Sequence, residues 1–516
     1  LRATEKFPFS PDLWRLLGVI SQELNRGEVT IAAFRQAVAL SGDDPANHSN
    51  LAIALHGQGR MAEAILSLQR VTELDPSDAD AHYNLGVFLR ESGQVKEAIA
   101  AYRRALNLNP EVAEAFNNLG ILLCEQGRLG EGIDAYKLAL SVQPNYWEAL
   151  LNLGTELQKV HFASADRSLY PCLEQLLNAK NMVSPADVAP AILSLLKHDP
   201  VLVDILAEPS GQLDLETHLN LISKLEQLPL LQKLMRLCPL PDLELERIFT
   251  GIRSVLLEHV SALVDTPFLE SLQSTLSLQC FLNEYVYFET ERDSENVAGL
   301  KRLIERNLAA GKEPEVAEVL CLSLFRPLHR FHWSEDLSSL KKLPEVRERL
   351  ITQPLGEQRL ARDIRTLGPI SNDVSIKVKR QYEENPYPRW AQLGVSQSKL
   401  PLDEYLKGQG IRYHSLKDQA LKSPRILVAG CGTGQHALQV ALRHPESQVL
   451  AVDLSRASLS YAQRQANRLG VTGLELMQGD ILDLAKLGEQ FDIIESVGVL
   501  HHMDDPSAGW AVLTEL

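Results

Sequence analysis

The chain has 516 residues, which is too many for one hydrophobic core and predicts two to four domains. Its formal net charge of -16 opposes binding to nucleic acid or anionic lipid, and no stripe of Lys and Arg with interleaved aromatic residues predicts a local basic groove. The sequence contains no apolar run long enough to span a membrane and no Cys-x-x-Cys pair among its six cysteines. We therefore expect no transmembrane helix, no metal site and a reducing, cytoplasmic compartment.

A repeat with a period of 34 residues runs through residues 1–172. Its most regular feature is a leucine followed by a small residue: Leu17-Gly18, Leu51-Ala52, Leu85-Gly86, Leu119-Gly120 and Leu153-Gly154. A small residue, an aromatic residue and a proline also recur with this period; in one of the repeats they are Ala98, Tyr102 and Pro110. Small residues allow two helices to cross closely, and proline ends the second helix. The pattern resembles the tetratricopeptide repeat, and this resemblance implies an all-α solenoid.

A ladder of asparagines follows the same period, at Asn50, Asn84, Asn118 and Asn152. Each lies on the first helix of its repeat, and a primary amide offers both a donor and an acceptor. One interpretation is that the ladder grips the backbone of an extended peptide, as the similar ladder does in the repeats of the eukaryotic O-GlcNAc transferase. The other is that the amides merely bond to neighbouring helices. Both interpretations stay open on the sequence.

The region from 173 to 375 loses the 34-residue period but keeps helical apolar spacing, in stretches around 219–237, 245–260, 268–287 and 297–308. Prolines interrupt these stretches. We predict a helical connector that extends the solenoid. Cys280, His329 and His332 do not cluster in the sequence, so a core or surface role is favoured over a metal or nucleophile site.

Residues 376–516 alternate short apolar runs with helical patterns, which is typical of an α/β fold. The strands are predicted at 426–429, 448–453, 474–477 and 491–496. The first ends in the turn Gly430-Cys431-Gly432-Thr433-Gly434, the second in Asp453-Leu454, the third precedes Gly479-Asp480-Ile481, and the fourth contains Glu495 and precedes His501-His502. A strand, a glycine turn and a helix form the first unit of a nucleotide-binding fold.

Two families use such a turn. The dinucleotide fingerprint requires G-x-G-x-x-G, but the third glycine here, Gly434, comes one position early and Gln435 occupies the required site. As a set, the motifs instead resemble class I S-adenosylmethionine-dependent methyltransferases, most of all the branch that includes ubiquinone and sterol methyltransferases. The resemblance implies an incomplete Rossmann-like domain, since four strands are readable where the family has seven. We expect truncations at both ends of the chain and poor cofactor binding by this fragment.

The resemblance also implies roles for particular residues. Gly430, Gly432 and Gly434 would pass under the methionine part of S-adenosyl-L-methionine, Asp453 would bind the ribose hydroxyls, and Asp480 with Ile481 would address the adenine. Residues 495–501 would line the methyl-transfer site. Further candidates for cofactor binding are Cys431, Thr433, Leu454 and Glu495. His501 and His502 are the candidates for a general base, because imidazole titrates near neutrality; one of them could instead cap or pack against the next helix. The family usually has Asp or Glu two residues before the first glycine, and this chain has Val428 there.

The segment 381–390 carries Tyr382, four residues before Pro386, and Tyr387, between Pro386 and Pro388; the two prolines are expected to hold the segment extended. It resembles the substrate lid of related methyltransferases, with the two tyrosines as contacts, and a rigid linker is the alternative. The sequence as a whole predicts methyl transfer with the repeats recruiting a protein or peptide acceptor. An interaction scaffold with a catalytically degenerate domain is the alternative, and the identity of the acceptor and the oligomeric state stay open. No Asn-Pro-Pro-Tyr follows the fourth strand, which disfavours methylation of an amide.

Overall fold

The computed structural model describes residues 6–208, 215–263, 269–394, 402–408, 410 and 423–516. The chain divides into two compact units, Leu1–Val160 and His161–Leu516. The three-domain division predicted from the sequence, at 1–172, 173–375 and 376–516, stays a prediction. None of the helices in the described ranges is long and apolar enough to cross a membrane.

The first unit consists of helices that pack in consecutive pairs. They are α1 (Pro11–Glu23), α2 (Gly27–Leu40), α3 (Pro45–Gly57), α4 (Met61–Leu74), α5 (Ala79–Glu91), α6 (Val95–Leu108), α7 (Ala113–Glu125), α8 (Leu129–Val142) and α9 (Trp147–Leu157). A Cβ atom on Gly86 would lie 2.7 Å from the ring of Tyr102, and one on Gly120 would lie 2.6 Å from that of Tyr136. The small residues of the period therefore make room for the aromatic residue of the paired helix, and the predicted repeat array is confirmed.

The helices that open the second unit are α10 (Tyr170–Asn178), α11 (Pro185–Leu196), α12 (Pro200–Leu206), α13 (Leu215–Glu226), α14 (Pro229–Leu237), α15 (Leu243–Glu258), α16 (Val260–Leu263), α17 (Leu269–Leu282), α18 (Glu291–Ala309), α19 (Val316–Ser323), α20 (Pro344–Arg347) and α21 (Gln353–Leu360), the last two joined by a π-helical turn (Glu348–Thr352). Short 3-10 turns lie at Arg167–Leu169, Leu328–Arg330, Ser334–Asp336 and Ser339–Lys342. Prolines begin several of these helices, because the first helical position needs no backbone donor. The α17 helix is buried from Leu272 to its end at Leu282 and contacts α14 and α19. The predicted helical region is confirmed, although Phe268 lies outside the described residues.

The second unit ends in a parallel sheet with helices on its faces. The elements are β1 (Arg365–Thr366), α22 (Asp373–Glu384), α23 (Leu402–Gly408), β2 (Arg425–Ala429), α24 (Gln435–Arg443), β3 (Gln448–Asp453), α25 (Arg456–Leu469), β4 (Leu474–Gln478), a 3-10 helix (Ile481–Leu487), β5 (Ile493–Glu495), a 3-10 turn (Leu500–His502) and α26 (Pro506–Glu515). The strand order is β1-β4-β3-β2-β5. The four predicted strands and the Rossmann-like class are confirmed. The two-residue strand β1 was not predicted, because Arg365 and Thr366 form no apolar run.

The strands alternate between two cores, as buried parallel strands do. Ile426 and Val428 face α24 and α25, whereas Leu427 and Ala429 face the 3-10 helix and α26. The chain moves outward from β2 to β3 and β4 and then returns to place β5 on the other side of β2. Such a reversal opens a crevice beyond the carboxyl ends of the two strands that flank it.

Candidate functional site

A cavity of about 590 Å³ lies beyond the carboxyl ends of β2, β3 and β5, where the strand order reverses. Of the residues that the sequence nominates, it is lined by Gly430, Cys431, Gly432, Thr433, Asp453, Leu454, Asp480, Ile481, Tyr382, Tyr387 and His502. Gly434, Glu495 and His501 do not belong to the lining. The fold thus brings the ends of several separate motifs to one place.

The glycine turn after β2 needs its glycines for two different reasons. All three have positive φ: +77° at Gly430, +53° at Gly432 and +80° at Gly434. A Cβ atom on Gly430 would lie 2.4 Å from a methyl group of Val499, and one on Gly434 would lie 2.4 Å from the Cβ of Ala462. A Cβ on Gly432 would meet no described atom within 4 Å. Packing therefore requires the outer glycines, whereas the middle one leaves open space beside the cavity.

Asp453 ends β3 and holds this turn in place. Its carboxylate accepts hydrogen bonds from the backbone N–H of Gly432, at 2.8 Å, and of Ser455, at 2.9 Å. Burial raises the pKa of the Asp453 carboxyl, and these two hydrogen bonds oppose the rise. Each carboxylate oxygen has more than one acceptor site, so Asp453 can still accept from the hydroxyl groups of a ligand.

Asp480 and Cys431, which were also nominated from the sequence, line the same cavity. Asp480 accepts a hydrogen bond from the backbone N–H of Leu482 at 3.0 Å and so begins the 3-10 helix, with the apolar Ile481 next to it on the cavity. Burial raises the pKa of the Cys431 thiol well above its ordinary value. Because the thiolate is the reactive form, this burial argues against a nucleophilic role for Cys431.

Val428 lies next to Glu495 across the β2–β5 pair. The Glu495 carboxylate contacts Nε2 of His436, in the first turn of α24, and this hydrogen bond lowers the pKa of Glu495. His436 lines the cavity, whereas Glu495 stands behind it. Sequence analysis missed His436; its place two residues after the last glycine, at the start of the helix, was the available signal.

The two candidate bases occupy different positions. His501 and His502 form a 3-10 turn with Leu500, and their ring centroids are 4.0 Å apart. Both residues are exposed, but only His502 lines the cavity. The structure therefore places one of the two predicted bases beside the site.

The segment around Pro388 and Trp390, between α22 and β2, is anchored on the glycine turn. Trp390 is buried, its indole N–H donates to the carbonyl of Thr433 at 3.2 Å, and its backbone N–H donates to the Tyr461 hydroxyl at 2.9 Å. The Thr433 hydroxyl in turn donates to the carbonyl of Pro388 at 2.7 Å. Tyr387 lines the cavity from this segment, whereas Tyr382 lines it from α22. The prediction that the prolines hold the whole segment extended is wrong for Tyr382, because the helix continues to Glu384 and ends before Pro386. A lid and a linker both fit this arrangement, so the proposed substrate contacts stay predictions.

Arg389, next to Trp390, joins the sheet to the helical region. Its guanidinium lies 2.5 Å from a Glu284 oxygen and 3.3 Å from a Glu357 oxygen, and Arg464 of α25 lies 2.7 Å from the other oxygen of Glu357. The side chain of Arg389 is 6% exposed, and it also stacks on the ring of Phe281. A buried cation with two carboxylates thus ties the segment before β2 to the helical region.

The asparagine ladder lies in the other unit, and its four members are half-buried. Asn118 accepts a hydrogen bond from Arg90 at 3.1 Å, and Asn152 donates to Asn117 at 2.9 Å. The side chains of Asn50 and Asn84 make no hydrogen bond to the described part of the chain. Asn118 and Asn152 therefore bond to neighbouring helices, whereas both interpretations stay open for Asn50 and Asn84.

Comparison with known proteins matches residues 426–515 to a methyltransferase domain, and residues 49–108 and 89–149 to tetratricopeptide repeats. An uncharacterized Synechococcus protein is 43% identical over 94 residues, 18% of this chain and 22% of that protein. A release factor glutamine methyltransferase of Xylella fastidiosa is 42% identical over 72 residues, 14% of this chain and 26% of that protein. The chain thus spans about a quarter of the length of these curated relatives. Among solved structures, the MamA protein is 22% identical with a TM-score of 0.30, covering 33% of this chain and 90% of that one.

Proposed function

Because the chain contains tetratricopeptide repeats and a methyltransferase domain, we propose that it transfers a methyl group from S-adenosyl-L-methionine to an acceptor that the repeats recruit. The observation that carries the proposal is the convergence of the glycine turn, Asp453 and Asp480 on one cavity at the reversal of strand order. Ligands of open parallel sheets bind at such a reversal.

The residues of the cavity fit the cofactor in its separate parts. Gly432 leaves the space that a side chain would fill, so the methionine part can approach the backbone closely. Asp453 offers acceptors for the two ribose hydroxyls, and Ile481 offers an apolar surface beside Asp480 for the adenine. When bound, the sulfonium supplies an already activated methyl group. The task of the chain is then to hold the acceptor in line and to exclude water.

Among the two predicted bases, we assign proton removal from the acceptor to His502, because it alone of the pair lines the cavity. Tyr382 and Tyr387 form the wall against which the acceptor would lie. The sequence after β5, Ser496-Val497-Gly498-Val499, has no Asn-Pro-Pro-Tyr, which favours an acceptor other than an amide. The repeat array would present a protein or extended peptide through Asn50 and Asn84.

The alternative is a protein-interaction scaffold with a degenerate methyltransferase-like domain, and the apolar Val428 is the observation that favours it. Isothermal titration with S-adenosylmethionine separates the two. We expect weak but measurable binding, and we expect Asp453→Ala to weaken it further by roughly 1–3 kcal/mol, the range for lost hydrogen bonds to a charged group. No heat of binding at millimolar cofactor would favour the scaffold.

A further inference from the structure

This chain has Val428 where the family usually has Asp or Glu, but the paired residue on the neighbouring strand is an acid, Glu495. Val428 and Glu495 are paired in the parallel register of β2 and β5. Paired residues of neighbouring strands project from the same face of a sheet. Val428 belongs to the face covered by α24, and the contact between Glu495 and His436 of α24 places the carboxylate on that face as well.

The two side chains form a unit that reaches the cavity. The Glu495 side chain is 25% exposed and stands behind His436, whose side chain is 39% exposed and lines the cavity. Nε2 of the imidazole is directed at the carboxylate, so Nδ1 is the ring nitrogen left for a ligand. A carboxylate that accepts from one nitrogen of an imidazole fixes its tautomer and makes the other nitrogen a better acceptor.

Resting on the proposed function, we propose that the Glu495–His436 pair binds the α-ammonium group of the amino-acid end of S-adenosylmethionine. A ligand whose methionine part passes over the glycine turn brings its α-ammonium group close to the start of α24. Val428, on the neighbouring strand β2, offers no charge to this group. The pair carries the negative charge of one carboxylate and presents it through Nδ1 of His436. Of the other acids that line the cavity, Asp453 ends β3 and Asp480 follows β4, and both are engaged with backbone N–H groups.

The test compares two nucleosides that differ in the amino-acid part. S-adenosylhomocysteine carries it, 5′-methylthioadenosine lacks it, and neither has a sulfonium charge. In titrations of the whole chain, we expect Glu495→Gln to weaken the binding of S-adenosylhomocysteine about tenfold or more, because the pair loses its negative charge and the carboxylate that fixes the tautomer of His436, and to leave the binding of methylthioadenosine unchanged. His436→Asn should have the same selective effect, which provides a second variant if one fails to fold.

Two further variants make the result specific. Adding Val428→Glu to Glu495→Gln should restore part of the affinity for S-adenosylhomocysteine, because the new carboxylate lies at the paired position. Glu475→Gln is the matched control, since Glu475 lies on the same sheet in an exposed ion pair with Arg365. Equal loss of both nucleosides, or no loss of either, would overturn the inference while leaving the proposed function standing. Failure of the unaltered chain to bind either nucleoside would refute the proposed function itself.

Discussion

Gly432→Ala is the sharpest single test of the glycine turn, because it adds one methyl group to open space. The new Cβ would meet no described atom within 4 Å, and the backbone N–H that donates to Asp453 is retained. The cost to the fold is therefore limited to the backbone, whose φ of +53° disfavours alanine by about 1–2 kcal/mol. A cofactor that lies against this backbone would collide with the methyl group. We expect the affinity for S-adenosylhomocysteine to fall at least about tenfold.

Gly470→Ala is the matched control for this variant. Gly470 ends α25 with a φ of +65°, a Cβ there would also meet no described atom within 4 Å, and the residue does not line the cavity. Urea denaturation should give both variants a similar loss of stability, whereas titration should show weakened binding only for Gly432→Ala. Equal affinities of Gly432→Ala and the unaltered chain would refute the placement of the cofactor over the turn.

Three other predictions follow from side chains described above. Asn118→Ala should lower the free energy of unfolding by roughly 0.5–1.5 kcal/mol, measured by urea denaturation, because the Asn118 amide accepts a hydrogen bond from Arg90 of the preceding repeat. Asn84→Ala should leave the free energy of unfolding unchanged and reduce only the retention of extended peptides, measured on peptide arrays. Arg389→Met should cost about 3–5 kcal/mol in thermal or urea unfolding, because it leaves the buried carboxylate of Glu284 without its cation and leaves Glu357 with Arg464 alone; a loss below about 1 kcal/mol would contradict this account. Burial lowers the pKa of His329 to about 4, so the unfolded chain binds a proton that the folded chain does not, and stability should fall by up to about 3 kcal/mol as the pH drops from 6.5 to 4. Urea midpoints at pH 7 and pH 4.5 should lose this difference in His329→Gln but keep it in the exposed control His332→Gln.

The elements that could be predicted from the sequence are those whose structure depends on a local residue pattern. The strands β2 to β5 are apolar runs bounded by turn residues, and the repeat period is carried by small and aromatic residues that contact one another within one helical pair. The strand β1 was out of reach, because Arg365 and Thr366 are polar and acquire strand structure only by pairing with β4. Edge strands of two residues have no periodicity from which to be recognised.

The parts of the site that escaped prediction depend on contacts between distant residues. Arg389 and Glu284 are 105 positions apart, and nothing in either segment alone indicates the other. The contact between His436 and Glu495 depends on the register of β2 against β5, which the apolar pattern of each strand does not specify. The nominated acids Asp453 and Asp480 were accessible to sequence reasoning because one ends β3 and the other comes two residues after β4, and the carboxyl ends of parallel strands share one edge of the sheet.

The network around Arg389 determines how this chain can be divided for expression. A fragment that starts at residue 376, where the family resemblance begins, would lack β1, so the β4 edge would be left unpaired and open to aggregation. It would also keep Arg389 and Arg464 but lose Glu284 and Glu357, which converts a neutralised cluster into two adjacent uncompensated cations. The helical region from His161 onward is in this sense part of the scaffold of the sheet. A cut near residue 160, between the two compact units, keeps both the edge and the cluster intact.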